Sequence, residues 1–173
     1  MRIIEGVDSY TYNVLIKGRE LLFRENYAWG FVPELKSLGF EDKGGYYKRP
    51  CDQSEIEAAY CLKGTYTSYK GFEVRLFAFD EGRKIFRTDL ERCNNCEQLV
   101  KNLGLKPTYD YNEKYWESMP MYKIEIPDAE IPNVWQIRKP VEGFPMLGEE
   151  KVYIKKDGVW LPRKEYGSMV DEE

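Results

Sequence analysis

The stretch Ser54-Glu-Ile-Glu-Ala-Ala-Tyr-Cys-Leu-Lys-Gly-Thr-Tyr-Thr67 decides the class of fold. Two readings compete in it. Ser54 followed by Glu57 is a capping box, the signature of a helix start. Against it, Ile56, Ala58, Tyr60, Leu62 and Tyr66 alternate with Glu55, Glu57, Lys63, Thr65 and Thr67, the two-residue period of a strand. Ala59 and Cys61 interrupt the polar side, but the alternation outlasts the capping signal and predicts a strand.

Working outward, residues 68–71 turn the chain, and Phe72, Val74, Leu76 and Ala78 alternate again. Phe77 and Phe79 lie on the other face of that run, so it is expected to be a central strand covered on both sides. Asp80-Glu81-Gly82 turns, and residues 84–87 form a short strand. Upstream, residues 10–16 read as a strand, Lys17-Gly18-Arg19 as a turn, and residues 20–24 as a second strand or the lead into a helix. Residues 40–50 read as a hairpin turning at Lys43-Gly44-Gly45.

Two helices are expected to cover this sheet. Phe31, Leu35 and Leu38 recur at helical spacing, and Pro33 fits a first turn, which predicts a helix over 30–38 stopped by Gly39. Thr88 with Glu91 forms a second capping box ahead of Leu90, Cys93, Val100 and Leu103, which predicts a helix over 89–103 ended by Gly104 and Pro107. Beyond Pro107, five prolines at 120, 127, 132, 140 and 145 preclude a long helix. Residues 121–126 and 134–138 are candidate strands there, and residues 151–162 a hairpin turning at Lys156-Asp157-Gly158. The reading is α+β: a mainly antiparallel sheet, two covering helices and a Pro-interrupted β-rich C-terminal segment. Residues 1–106 form the core domain in this reading, and 107–173 an extension that can share the same domain.

The composition narrows the chemistry. The 173 residues include no histidine, which excludes Ser-His-Asp and Cys-His nucleophile pairs, mixed cysteine–histidine zinc sites and a histidine pH switch. Nothing matches GxxxxGK[ST] or GxGxxG, so no nucleotide cofactor is expected. Net charge is −4 with no strongly basic section, so nucleic acid is a disfavoured partner. No apolar run approaches a membrane span, and the opening residues lack the apolar core of a secretory leader; a cytoplasmic protein without a membrane partner is expected.

Four constellations remain. Cys93-Asn-Asn-Cys96 with Cys51 and Cys61 gives a four-cysteine zinc alternative, but the first pair lacks a short loop, and packing explains the thiols more simply. Pro127-Asp128 with Glu149-Glu150-Lys151 is a loose version of a Mg2+-dependent nuclease pattern, whose acids hold the metal while a lysine orients water. Tyr66, Tyr69, Lys70 and Arg75, with Phe77, combine rings and cations as a nucleic-acid stacking surface does, and Tyr46, Tyr47, Lys48 and Arg49 form a second such group.

The fourth is the aromatic and acidic run from Tyr109 to Tyr122. If it is helical, Tyr111 and Tyr115 stack one turn apart, with Trp116 alongside. Tyr109, Tyr111, Tyr115, Trp116 and Glu117 have the composition of a protein-contact hot spot facing a basic partner. With 15% aromatic residues and 14 tyrosines in the chain, contact is the leading expectation. The expected function is therefore a small non-catalytic binding protein. By texture it falls with the accessory and inhibitor proteins of phages and mobile elements, including antagonists of host defence. A carboxylate enzyme is the alternative.

Overall fold

The computed structural model describes residues 2–3, 10–90, 96–112, 117–145, 148–162 and 165–170. Its described strands pair antiparallel, and they dominate over helix. The chain divides into two compact units, each assembled from three segments. Unit 1 comprises Met1–Gly6, Gly64–Ile137 and Lys151–Leu161; unit 2 comprises Val7–Lys63, Arg138–Glu150 and Pro162–Glu173. Residue 106, where the sequence texture changes, lies inside the 64–137 segment.

In unit 2 the strands Tyr12–Ile16, Arg19–Arg24 and Tyr27–Gly30 form a meander. Its first turn uses Lys17 and Gly18 at φ 49° and 71°, and its second uses Glu25 and Asn26 at φ 49° and 62°. Two successive left-handed residues are what a two-residue hairpin needs to match strand twist. Tyr47–Pro50 continues the sheet, with Glu41–Asp42 at its edge, and residues 58–60 of Ala58–Tyr69 pair on the opposite side with residues 13–15. One face buries Val14, Ile16, Leu21, Phe23 and Ala28 beneath Leu35, Phe40 and Ile56.

The helix expected over 30–38 is corrected. Tyr27–Gly30 is a strand, and only Pro33–Leu38 is helical, as a 3-10 segment ending at Gly39 in the left-handed region. The spacing of Leu35 and Leu38 is real, but the Glu25–Asn26 turn commits the preceding residues to the sheet. The capping box at Ser54 and Glu57 also shifts. Asp52 caps the short 3-10 segment Gln53–Glu55, with Glu55 closing the box, while Glu57 accepts from the Lys17 backbone N–H at 2.8 Å.

Unit 1 holds a four-stranded sheet ordered Arg2–Ile3, Ala78–Asp80, Ile85–Asp89, Lys123–Pro127. The run from 72 to 80 is not one central strand. It breaks at Phe77: Phe72–Leu76 pairs with residues 65–69, whereas Ala78–Asp80 sits between Arg2–Ile3 and Ile85–Asp89. Val134–Pro140 and Glu150–Lys156 follow in the neighbouring sheet, and Glu150–Lys156 turns through Asp157 and Gly158 into Val159–Trp160. The core gathers Val74, Leu76, Phe86, Ile126 and Val134, and Phe79, Phe86 and Trp160 pack with ring centroids 4.6–5.8 Å apart.

The helix expected over 89–103 is corrected as well. Among the described residues it runs Cys96–Leu103, with Leu99 buried in the core. Asp89 still belongs to a strand, and Thr88 pairs with Ile124 instead of capping a helix. The Thr88 hydroxyl donates to the Arg75 carbonyl. A partner 36 residues away in sequence overrides a local capping signal.

The run from 109 is not helical. Thr108–Asn112 and Glu117–Met121 form an antiparallel two-stranded ribbon, with Tyr109 opposite Pro120 and Tyr111 opposite Ser118. The candidate strand at 121–126 divides between this ribbon and Lys123–Pro127.

Candidate binding groove

Unit 2 carries an open groove of about 520 Å³. Register builds its floor. Tyr12 lies opposite Phe23 in the first hairpin, so both side chains share the core-side face. Val141 donates its backbone N–H to the Ala59 carbonyl at 3.0 Å, which anchors the segment that carries Phe144. Phe144 meets Tyr12 at 6.1 Å and 67°, and Phe23 at 6.2 Å and 79°. Both are edge-to-face contacts, the arrangement the ring quadrupole favours.

The polar rim comes from the second hairpin turn and the capped segment. Arg24, Glu25 and Asn26 line one side, with Gln53 and Glu142 also bordering the space. The Arg24 guanidinium stands 5.9 Å from the Tyr10 centroid, and its Nε lies 3.8 Å from Glu25. The Asn26 carbonyl accepts from the Cys51 N–H at 2.9 Å, tying the turn to the capped segment. There the Asp52 carboxyl is held below its usual range by the Ser54 N–H. The Glu55 carboxyl is held down by the Asp52 N–H and by Arg49, whose Nη2 donates at 2.7 Å. Cys51 is buried, and burial pushes its thiol up to about 11. The groove thus combines an aromatic floor with charged and amide groups at its edge, the make-up of a binding site.

The residues named for protein contact fall in unit 1. Tyr109 and Tyr111 lie in the first strand of the ribbon and Glu117 opens the second; Tyr115 and Trp116 lie outside the described residues. Of the stacking group, Tyr66 and Arg75 are opposite one another, with Tyr66 and the Arg75 Nε over Gly64, and the Arg75 guanidinium 5.4 Å from the Phe77 centroid. Tyr69 is on the other face with buried Thr65 and Thr67, packed against the core, and Lys70 stands 5.5 Å from its ring. The second group also divides. Tyr47 packs on the core and Arg49 lies over Phe40, whereas Lys48 lies 4.4 Å from the Tyr27 centroid.

The acids of the nuclease pattern have separate engagements. Asp128 accepts from Lys155 at 2.6 Å, Glu149 pairs with Lys63 at 3.5 Å, and Lys151 lies 4.0 Å from the Trp135 centroid and 5.0 Å from that of Tyr153. The thiols of Cys51 and Cys61 point to the carbonyls of Asp52 and Lys139. Cys96 opens the helix, and Cys93 lies outside the described residues. Among the described residues no three Cys, Asp or Glu side chains gather as a metal site, and no helix is long and apolar enough to cross a membrane.

The groove escaped the sequence reading because Tyr10, Phe23, Gln53 and Phe144 are brought together only by the fold. The chain matches no protein-family model, no curated protein and no solved structure.

Proposed function

We propose that the protein is a non-catalytic binding protein that acts by protein–protein contact, with the ribbon Thr108–Asn112/Glu117–Met121 as its contact element. The observation that carries this reading is the ribbon's pairing. Among the described residues its two strands pair with each other and join no larger sheet, which leaves two strand edges. Such an edge presents alternate N–H and C=O groups to which an extended segment of another chain can add. The sequence supplies anchors on and beside it: Tyr109, Tyr111, Tyr115 and Trp116, with Asp110, Glu113 and Glu117 suited to a basic partner. An accessory or inhibitor role of the phage or mobile-element kind, in the cytoplasm, is the part of the proposal supported by the aromatic texture alone.

The test is affinity capture from the native cell with wild type, Trp116→Ala and a Tyr111→Pro variant that removes a ribbon N–H. A specific protein should be lost with both variants while their thermal unfolding matches wild type. Equal capture by all three would remove the ribbon from the account.

A further inference from the structure

The groove in unit 2 has rings in its floor and carboxylates at its rim. Phe144 stands at 67° to Tyr12 and 79° to Phe23; Phe23 is buried beneath, and the half-buried rings of Tyr12 and Phe144 border the space above it. The face of an aromatic ring attracts a cation through its quadrupole, and several rings around one volume combine that attraction, as in the cages that hold ammonium groups. The groove already displays one such contact: the Arg24 guanidinium lies 5.9 Å from the centroid of Tyr10, which lines the same space. Glu25, with its side chain 81% exposed, and Glu142 border it.

Charge distribution points the same way. By sequence, unit 2 contains 12 Lys+Arg and 16 Asp+Glu, whereas unit 1 contains 14 of each. Three of those acids, Asp171-Glu172-Glu173, lie outside the described residues; among the described residues unit 2 keeps a smaller acidic excess, 12 Asp+Glu against 10 Lys+Arg. At the groove itself Glu25 and Glu142 face the single cation Arg24, a balance that favours a cationic guest.

We infer that the groove receives the cationic side chain, lysine or arginine, of a protein partner. The aromatic floor and the Tyr10 ring take the charged head and the adjoining methylenes, and Glu25 and Glu142 compensate the charge. Arg24 is the resident cation that a guest displaces from the ring of Tyr10 or lies beside. The inference rests on the protein-contact reading for the nature of the occupant, but not on the ribbon.

The experiment titrates the full chain with three capped tripeptides, Gly-Lys-Gly, Gly-Arg-Gly and Gly-norleucine-Gly, followed by NMR. The lysine and arginine peptides should bind at least about tenfold more tightly than norleucine, and more weakly at high salt. Phe144→Leu should lower that affinity about fivefold or more. Glu142→Gln, an exposed change that leaves packing alone, should lower it about twofold to threefold. Arg24→Gln should raise it, because the competing cation is gone. Equal binding of norleucine, or affinity unaffected by both Phe144→Leu and Glu142→Gln, would overturn the inference. Cationic peptides that bind as described while ribbon variants leave partner capture intact would support the groove and defeat only the ribbon reading.

Discussion

Lys155 Nζ lies 2.6 Å from Asp128 Oδ1 and 2.9 Å from the carbonyl oxygen of the same residue. The lysine side chain is 2% exposed and its ammonium stands 6.0 Å from the Phe86 centroid and 5.7 Å from that of Trp160. Among the described residues, one aspartate thus supplies two oxygen acceptors to a charge held inside an aromatic core. Ile154, on the other face of the strand, is partly buried against the core.

Removing the anion strands that charge. Asp128→Ala should destabilise unit 1 by about 3–5 kcal/mol, the usual cost of breaking a buried pair from one side. Lys155→Met should cost far less, because the Asp128 side chain is 24% exposed and can be hydrated, while methionine fills the same space. Urea unfolding of the two variants checks the asymmetry, and similar losses for both would refute it.

Cys51 provides a pH signature. Its thiol rises from 9.0 to about 11 through burial, so the unfolded chain releases that proton first. Between pH 9 and 11 the folded state binds more protons than the unfolded state, and stability must fall with rising pH. Cys51→Ala should flatten that part of the profile. In alkylation at pH 8 followed by mass spectrometry, Cys51 should label far more slowly than the half-buried Cys61.

Gly30 marks a close approach in unit 2. A Cβ there would stand 2.6 Å from the Tyr166 carbonyl oxygen and 2.8 Å from Leu35 Cδ1, while the adjacent Phe31 N–H donates to that same carbonyl at 2.7 Å. Gly30→Ala should cost about 1–3 kcal/mol, typical of overpacking, and should speed hydrogen exchange at the Phe31 amide. Gly44→Ala, which meets no atom but sits at φ 79°, serves as the comparison for backbone strain without a clash.

The two tyrosines assigned by sequence to one stacking surface should behave differently. Tyr69 packs on the core, so Tyr69→Ala should lower stability by about 1–3 kcal/mol. Tyr66 lies on the opposite face, and Tyr66→Ala should cost under about 1 kcal/mol. Chemical denaturation of both variants separates them.

Strands declared themselves in the sequence where alternation met a turn that forces a hairpin. Tyr12 to Ile16 ahead of Lys17-Gly18, and the strands on either side of Asp157-Gly158, are the clearest cases. The misreadings arose where a local helical signal met a distant strand partner. Thr88 and Glu91 spell a cap, but Ile85–Asp89 is held by Lys123–Pro127. Phe31, Leu35 and Leu38 spell a helix face, but Glu25-Asn26 in the left-handed region folds Tyr27–Gly30 back onto Arg19–Arg24. The Asn in that turn was the available clue, since asparagine tolerates positive φ better than most residues. For the groove there was no comparable clue: its walls come from residues 10–53 and 141–144, and no period or spacing relates Tyr12 to Phe144.

The ribbon account is tested most directly by hydrogen exchange on the complex with the captured partner. Addition of a strand should slow exchange by about tenfold or more at alternate amides along one edge, within Thr108–Asn112 or Glu117–Met121. Tyr111→Pro should abolish that protection together with capture. Protection confined to residues outside the ribbon, with both ribbon strands exchanging as in the free protein, would contradict the account.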